Sequence, residues 1–375
     1  MIWFLIIPTF YGVIMLLFFF GNVTRSRFVS EKQIPLTRFS IVIPFRNEAE
    51  NLPRLLNSLC ALQYPQELFE IIFIDDDSTD TSEEIVAQWM ANSAQDLNIG
   101  CIKNIRKTAS PKKDAINTAI AIATHDWIIT TDADCVINPL WLQTYDVFIQ
   151  KTDALFLAAP VDYTHRDGFI HQYQTFDNWS LQGITAASFA LDHPLLCNGA
   201  NMAYKKEAFH QVGGFDGNQH IASGDDIFLL EKMVRTFPKQ VKYLKSNDAI
   251  VTTKMEISWK SVISQRVRWA SKTSKQRSWL NKILGVLVFV MNLYVLLFPL
   301  ALCFGRNTFF WMIGIVIFKM FIDSLIIGQS AGFFRRKINL LSFFRSFIAY
   351  AIITTIVVFR SLFTTYQWKG RMHHH

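Results

Sequence analysis

Acidic residues in short, widely spaced groups are where this chain could do chemistry. Asp75-Asp76-Asp77-Ser78-Thr79-Asp80 follows the apolar run Glu70 to Ile74, and Asp132-Ala133-Asp134 follows Trp127 to Thr131. The first group crowds carboxylates that repel one another, at a cost to stability unless cations or donors compensate. Turns of this type also cap helices, and Asp80 suits that role. Carboxylates at i and i+2 after a strand can reach one divalent cation, which can bridge a diphosphate; Mg²⁺ or Mn²⁺ suits such oxygen ligands and would offset charge on a departing nucleotide. Ser223-Gly224-Asp225-Asp226 precedes a helical stretch from Ile227 to Arg235. A carboxylate there can accept a hydroxyl proton as general base, or simply cap the helix. Lys112-Lys113 opens the helix before the Asp132 strand and can reach a phosphate or base, or form a solvated basic turn. Gln265-Arg266-Val267-Arg268-Trp269 stands just ahead of an apolar stretch. Its arginines can clamp a diphosphate with parallel bonds, and its Trp can stack on a sugar or wall an acceptor site. Basic residues before a span also act as topology signals. Together these groups suggest an enzyme that handles a sugar nucleotide beside a bilayer.

The elements that must position these residues alternate. Ser40 to Pro44, Glu70 to Ile74, Asn98 to Ile102 and Trp127 to Thr131 read as short buried strands. Between them, Asn47 to Leu62, Ser82 to Ala94 and Asp114 to Ala123 carry helical patterns. Alternation of this kind predicts a mainly parallel, doubly wound sheet, which binds ligands at the carboxyl ends of its strands. Asp75 to Asp77 and Asp132 to Asp134 both fall there. Asn198 to Asn201 and Gly213 to Asp216 frame a further short helix, where glycines allow close approach or plain turns.

Composition places this domain between membrane segments. The chain has 375 residues, 51% hydrophobic, with 33 Phe. Ile2 to Phe20 is uncharged and close to the ~20 residues that cross a bilayer. Ile283 to Phe304, Phe309 to Ile327 and Phe343 to Phe363 are apolar too, giving four candidate spans. The first has no basic start and no small-x-small site, and reads as an anchor rather than a cleaved leader. Basic clusters at Arg25, Arg27, Lys32 and Arg38, from Lys260 to Lys282 (with Arg277), and at Arg335 to Lys337 place those flanks in the cytoplasm. Lys369 and Arg371 then fall outside, which leaves open a re-entrant or interfacial late segment. In the third span Lys319 and Asp323 stand four apart on one face, suited to pairing within a bundle. The net charge of +7 is concentrated at membrane edges, which favours anionic headgroups over nucleic acid. The five Cys have no zinc or C-x-x-C spacing and read as reduced thiols. His373 to His375 read as the remains of a purification tag.

In this order, the motifs resemble the membrane-bound family 2 glycosyltransferases of the GT-A fold, which include ceramide glucosyltransferases and cellulose and hyaluronan synthases. The resemblance runs from about residue 38 to 270, through Ile41 to Glu48, Asp75 to Asp80, Asp132 to Asp134, Asp225-Asp226 and Gln265 to Trp269. It implies an α/β GT-A domain and an inverting transfer from a UDP-sugar. It also implies Asp75 and Asp76 at the base and ribose, Lys112 near the nucleotide, Asp132 near the diphosphate or ribose, and Asp134 as ligand of Mg²⁺ or Mn²⁺. Asp226 matches the general base, Gln265 and Arg268 the diphosphate clamp, and Trp269 the acceptor wall. Asp225 stands where the family more often has Glu and is, with Asp226, the other catalytic residue the resemblance implies.

The expected organisation is an N-terminal membrane helix at 1–24 and a cytosolic GT-A domain at 38–258. Interface helices with the Gln-Arg-Val-Arg-Trp string follow at 259–282, then about three membrane helices at 283–366. The expected function is transfer of one sugar to a membrane lipid, such as a ceramide or diacylglycerol, by a multi-pass protein with its catalytic domain on the cytoplasmic face of a bacterial inner membrane. The alternative is a processive polysaccharide synthase. A non-catalytic subunit that kept the fold is the third reading, and the intact acids argue against it.

Overall fold

A run such as Phe39 to Phe45 has no polar face to offer water, so it must be covered on both sides, as strands in parallel sheets are. In the computed structural model it lies inside such a sheet. The structure describes residues 3–93, 97–221, 223–273, 275–276, 278–363, 366–368 and 371–373. Arg277, Lys369 and residues 374–375 of the sequence reading lie outside them.

In chain order the elements begin with α1 (Trp3–Thr24), β1 (Phe39–Phe45), α2 (Leu52–Cys60), β2 (Phe69–Asp75), α3 (Ser82–Ser93), β3 (Asn98–Lys103), α4 (Pro111–Ile122) and β4 (Trp127–Thr130). There follow α5 (Trp141–Gln150), β5 (Phe156–Ala158), β6 (Val161–Tyr163), α6 (Phe169–Ala190), β7 (Met202–Lys205), α7 (Lys206–Gln211) and α8 (Asp225–Thr236). The chain continues with β8 (Val241–Tyr243), β9 (Val251–Thr253), α9 (Trp259–Thr273), α10 (Trp279–Leu297), α11 (Arg306–Phe333), α12 (Leu340–Phe363), β10 (Tyr366–Trp368) and β11 (Arg371–His373).

Two compact units share these elements. One holds residues 26–162 and 194–254 and contains the seven-stranded sheet, ordered β3-β2-β1-β4-β7-β5-β8. β1 pairs in parallel with β2 and β4, and β2 with β3, while β7 runs antiparallel to both β4 and β5. Every residue of β2 is buried, as the apolar run requires. From β1 the chain winds one way to β2 and β3, then returns to place β4 on the other side of β1. That reversal opens a crevice at the carboxyl ends of β1 and β4, where doubly wound sheets bind ligands.

The centre of this unit is fixed by one buried amide. Asn201 Oδ1 accepts from Trp141 Nε1 and Tyr145 Oη, both at 2.9 Å, and its Nδ2 donates to the carbonyls of Pro160 and Ala249 at 2.7 Å. Asn201→Ala would leave four buried polar groups without that partner, at about 1–3 kcal/mol for each one left unsatisfied. Thermal unfolding is expected to show a loss of at least about 2 kcal/mol.

The other unit holds residues 1–25, 163–193 and 255–375. Among its described residues are four helical segments long and apolar enough to cross a membrane, Leu5–Thr24, Trp279–Phe304, Arg306–Phe333 and Leu340–Ser361. Helix α6, for which the sequence offered no reading, packs with α1, α11 and α12. Its Gly183 makes that approach possible, since a Cβ there would meet Ile326 Cγ2 at 2.7 Å and Ser330 Oγ at 2.9 Å. Ser330 Oγ in turn donates to the Trp179 carbonyl at 2.7 Å. The expected pair inside the bundle is present, with Lys319 Nζ donating to Asp323 Oδ2 at 2.5 Å, and Tyr11 Oη also donates to Asp323. The Lys319 ammonium lies 4.9 Å from the Phe347 ring centroid, a cation–π contact.

Candidate active site

The crowded carboxylates after β2 are compensated, as their mutual repulsion demands. Asp75 Oδ2 accepts from Lys103 Nζ at 2.7 Å, and Asp76 Oδ1 accepts from Asn104 Nδ2 and Arg106 Nη1, each at 2.7 Å. Arg46, at the end of β1, donates to the carbonyls of Asp76 and Asp77 at 2.6 and 2.7 Å. Asn47 accepts from the Thr79 amide at 2.8 Å, and Asp80 accepts from the Ala49 amide at 3.1 Å and the Ser82 amide at 3.0 Å. Asp80 thus caps α3 and also ties the loop after β1 to the loop after β2. Asn47 and Asp77 have φ of 51° and 65°, the left-handed region that Asn and Asp tolerate best after glycine. The two loops are tied to each other beside the buried Asp75 and Asp76.

The second gathering crosses the crevice. Lys112 Nζ, at the start of α4, donates to Asp132 Oδ1 at 2.7 Å and lies 3.1 Å from Asp225 Oδ2. One ammonium therefore joins the carboxylate beyond β4 to the first residue of α8. Burial alone would lower its proton affinity, yet the charges of Asp132 and Asp225 prevail and raise its pKa above the ordinary lysine value. Gly199 completes the arrangement: a Cβ there would stand 2.7 Å from Asp225 Oδ2 and 3.3 Å from Lys112 Nζ. Its carbonyl is held by Thr130 Oγ1 at 2.7 Å, so it cannot easily withdraw. Gly199→Ala is expected to push Asp225 off Lys112 and lower transfer by about 10- to 100-fold, while costing about 1–3 kcal/mol of stability. Initial rates and thermal unfolding of the purified variant check both figures.

Asp134 is half-buried, with Oδ2 accepting from Thr253 Oγ1 at 3.0 Å. Among the described residues no group of three or more His, Cys, Asp or Glu could hold a metal. The protein therefore offers no closed cage. Asp134 offers one carboxylate, held by Thr253, of the oxygen type that Mg²⁺ or Mn²⁺ takes. Asp226 follows Asp225 in the first turn of α8, partly exposed, with Oδ1 accepting from the Ile227 amide at 2.8 Å. Gly224, at φ 88°, supplies the left-handed turn that starts this helix. Cys135 lies buried beside Asp134, and burial pushes its thiol pKa well up. Burial and the Asp75 charge push Cys101 up to about 11. Neither thiol is a ready nucleophile near neutral pH.

Gln265, Arg268 and Trp269 lie on α9, in the unit of the apolar helices. Within that unit α9 is fastened by Arg266, whose Nε donates to Asp177 Oδ2 of α6 at 2.6 Å, with Nη2 at 2.5 Å from the same oxygen. Arg266 Nη1 donates to Gln265 Oε1, Gln265 Nε2 donates to Glu256 Oε1 at 3.3 Å, and the Arg266 guanidinium stacks over Trp269 at 4.3 Å. Val262 and Val267 bury the inner face of α9 against Tyr173, Ile353 and Val357.

Several residues of these networks escape sequence reasoning. Arg46, Lys103, Asn104 and Arg106 compensate the acids from other loops, and only the repulsion argument pointed to such partners. Lys113 was paired with Lys112 as one basic turn, yet it is buried and donates to the carbonyls of Asn218 and Ile221 at 2.7 and 2.9 Å. It steadies the loop that leads to Asp225. Asp177 carried no sequence signal at all.

The chain was compared with known proteins. The model for glycosyl transferase family 2 matches residues 40–213, and that for glycosyl transferase family group 2 matches residues 127–366. Glycosyltransferase AglE of Haloferax volcanii is 25% identical over 190 residues, covering 50% of this chain and 58% of the relative. A poly-beta-1,6-N-acetyl-D-glucosamine synthase of Staphylococcus epidermidis is 24% identical over 253 residues, covering 66% of this chain and 57% of the relative. The chain thus spans less than three fifths of the length of these curated relatives. A mannosyltransferase from Pyrobaculum calidifontis, solved with GDP-Man and Mn²⁺, superposes with a TM-score of 0.56 over 95% of each chain at 16% identity, a likeness of fold. With a mainly parallel GT-A sheet and a family match over more than half its length, the chain belongs to glycosyl transferase family group 2.

Proposed function

We propose that this protein is an inverting glycosyltransferase that moves one sugar from a UDP-sugar to a membrane lipid, on the cytoplasmic face of a bilayer. The observation that carries the reading is the ammonium of Lys112 between Asp132 and Asp225, at the mouth of the β1/β4 crevice. It ties the carboxylate beside a donor diphosphate to the helix turn that bears Asp226. The platform built on Asp75 and Asp76 suits the base and ribose, and Gln265 and Arg268 the diphosphate.

In this mechanism the acceptor hydroxyl oxygen attacks the anomeric carbon while Asp226 takes its proton. The bond from that carbon to the diphosphate oxygen breaks, and UDP leaves with the electron pair. Asp134 would hold a divalent cation, which when bound would supply Lewis acidity to the leaving group. Lys112 and Arg268 add positive charge where the leaving group becomes more negative. Trp269 walls the acceptor. A single displacement inverts the anomeric configuration.

Among the described residues, four helices long and apolar enough to cross a membrane support a membrane-borne acceptor. The similarity to a poly-N-acetylglucosamine synthase favours a second reading, processive synthesis. The testing experiment supplies purified protein with Mn²⁺ or Mg²⁺, extracted lipids and a panel of UDP-sugars plus GDP-mannose. UDP release that depends on lipid, with an inverted glycosidic bond, is expected. Release from GDP-mannose alone would reassign the donor, and a retained configuration would remove the single displacement.

A further inference from the structure

Residues 26–38 join α1 to β1 without regular secondary structure, and their side chains sort by direction. One set packs into the rest of the sheet-bearing unit, to which the strap belongs. The Phe28 ring meets Phe148 edge-on at 5.0 Å, and its amide donates to the Lys245 carbonyl at 2.8 Å. Thr37 donates to Asp146 through its amide at 2.9 Å and its hydroxyl at 2.6 Å. The other set faces out: Val29, Ile34 and Leu36 are 71, 78 and 66% exposed. Interleaved with them, Arg27, Lys32 and Arg38 are exposed as well. The strap's single acid, Glu31, is held by Lys151 at 2.8 Å.

A lone exposed apolar side chain needs no explanation, but three on one short strap, alternating with cations, make an interfacial pattern. Connectivity bounds where the first of them can lie. α1 ends at Thr24, and Val29 can be no more than about 18 Å of extended chain beyond it. If α1 crosses a membrane, Val29 stays within the headgroup layer or the field of anionic lipid just outside it. We infer that this strap is a membrane-docking surface, with Val29, Ile34 and Leu36 inserted among the headgroups and Arg27, Lys32 and Arg38 bound to anionic phosphates. The inference rests on the membrane reading of α1 given above.

The test uses the full chain in bilayers, with a fluorescent amino acid placed singly at position 29, 34, 122 or 317. Ile122 is an exposed site on the sheet-bearing unit and Ile317 an exposed site within α11. Lipids brominated along the acyl chain quench a fluorophore that enters the bilayer. Quenching at 29, 34 and 317 but not at 122 is expected in membranes containing phosphatidylglycerol. Neutralising Arg27, Lys32 or Arg38 to Gln should weaken quenching at 29 and 34, through a drop in docking of about fivefold per cation. Quenching at 317 without 29 and 34 would overturn the strap and leave the membrane reading intact. Loss of quenching at all three would remove the membrane reading itself. Emission at 29 that changes with protein-to-lipid ratio, unquenched by bromine, would assign the strap to a second copy and also overturn the inference.

Discussion

Asp226→Asn is expected to lower the rate of sugar transfer by about 100- to 10,000-fold, the usual contribution of a positioned general base. The fold should tolerate it. Asp226 is partly exposed, and its Oδ1 accepts from the Ile227 amide at 2.8 Å, a bond the amide oxygen of Asn can keep. Stability should stay within about 0.5 kcal/mol of the parent. Donor binding should survive too, because the carboxylates nearest Lys112 are those of Asp132 and Asp225. The decisive pattern is a collapse of kcat with little change in nucleotide affinity. Equal loss of both would make Asp226 a binding residue, and unaltered turnover would remove it from the proton transfer.

Lys112→Met is the second large effect, and it acts on stability and activity together. Removing one partner of a buried pair leaves an uncompensated charge, typically at 3–5 kcal/mol. Asp225 is buried but Asp132 is about a third exposed and partly screened, so about 2–3 kcal/mol is the expected loss. Adding Asp225→Asn should recover part of it, since the orphaned charge is then gone. Activity should not recover, because the cation proposed to face the diphosphate is still missing. The pH dependence carries a sign. The folded pKa of Lys112 is raised, so the bridge's stabilisation is complete below the ordinary lysine value of about 10.4 and fades as pH climbs toward the folded value. The stability gap between parent and variant should therefore be flat from about pH 7 to about pH 9 and narrow only in strong alkali. Urea unfolding across that range measures it.

What the sequence made legible follows from how local each signal is. β1, β2 and β4 are near-continuous apolar runs ended by charged or turn residues, and each stands within about two residues of its expected place. The acids at their ends inherit that certainty, because the carboxyl edge of a parallel sheet is a property of the pattern. β5, β7 and β8 are only three or four residues long, too short for a period, and β7 inserts antiparallel through pairings made far along the chain. α6 carries Gln174, Asp177 and Asn178 among apolar residues, so it resembles neither a membrane span nor a sheet-covering helix by composition. Its place beside α1, α11 and α12 comes from packing, with Gly183 as the contact.

The candidate site divides in the same way. Individual acids could be read off, but not their partners. That Lys112 touches Asp225 depends on α4, α8 and the Gly199 turn meeting in space. Gly199 belongs to the same contact: a Cβ there would stand 2.7 Å from Asp225 Oδ2.

The most direct test of single transfer to a lipid is mass spectrometry of the lipid phase after incubation of the purified protein with its donor and extracted native lipids. A lipid heavier by one hexose or N-acetylhexosamine, absent with Asp226→Asn, is the predicted result. A lengthening polysaccharide with every lipid unmodified would contradict it.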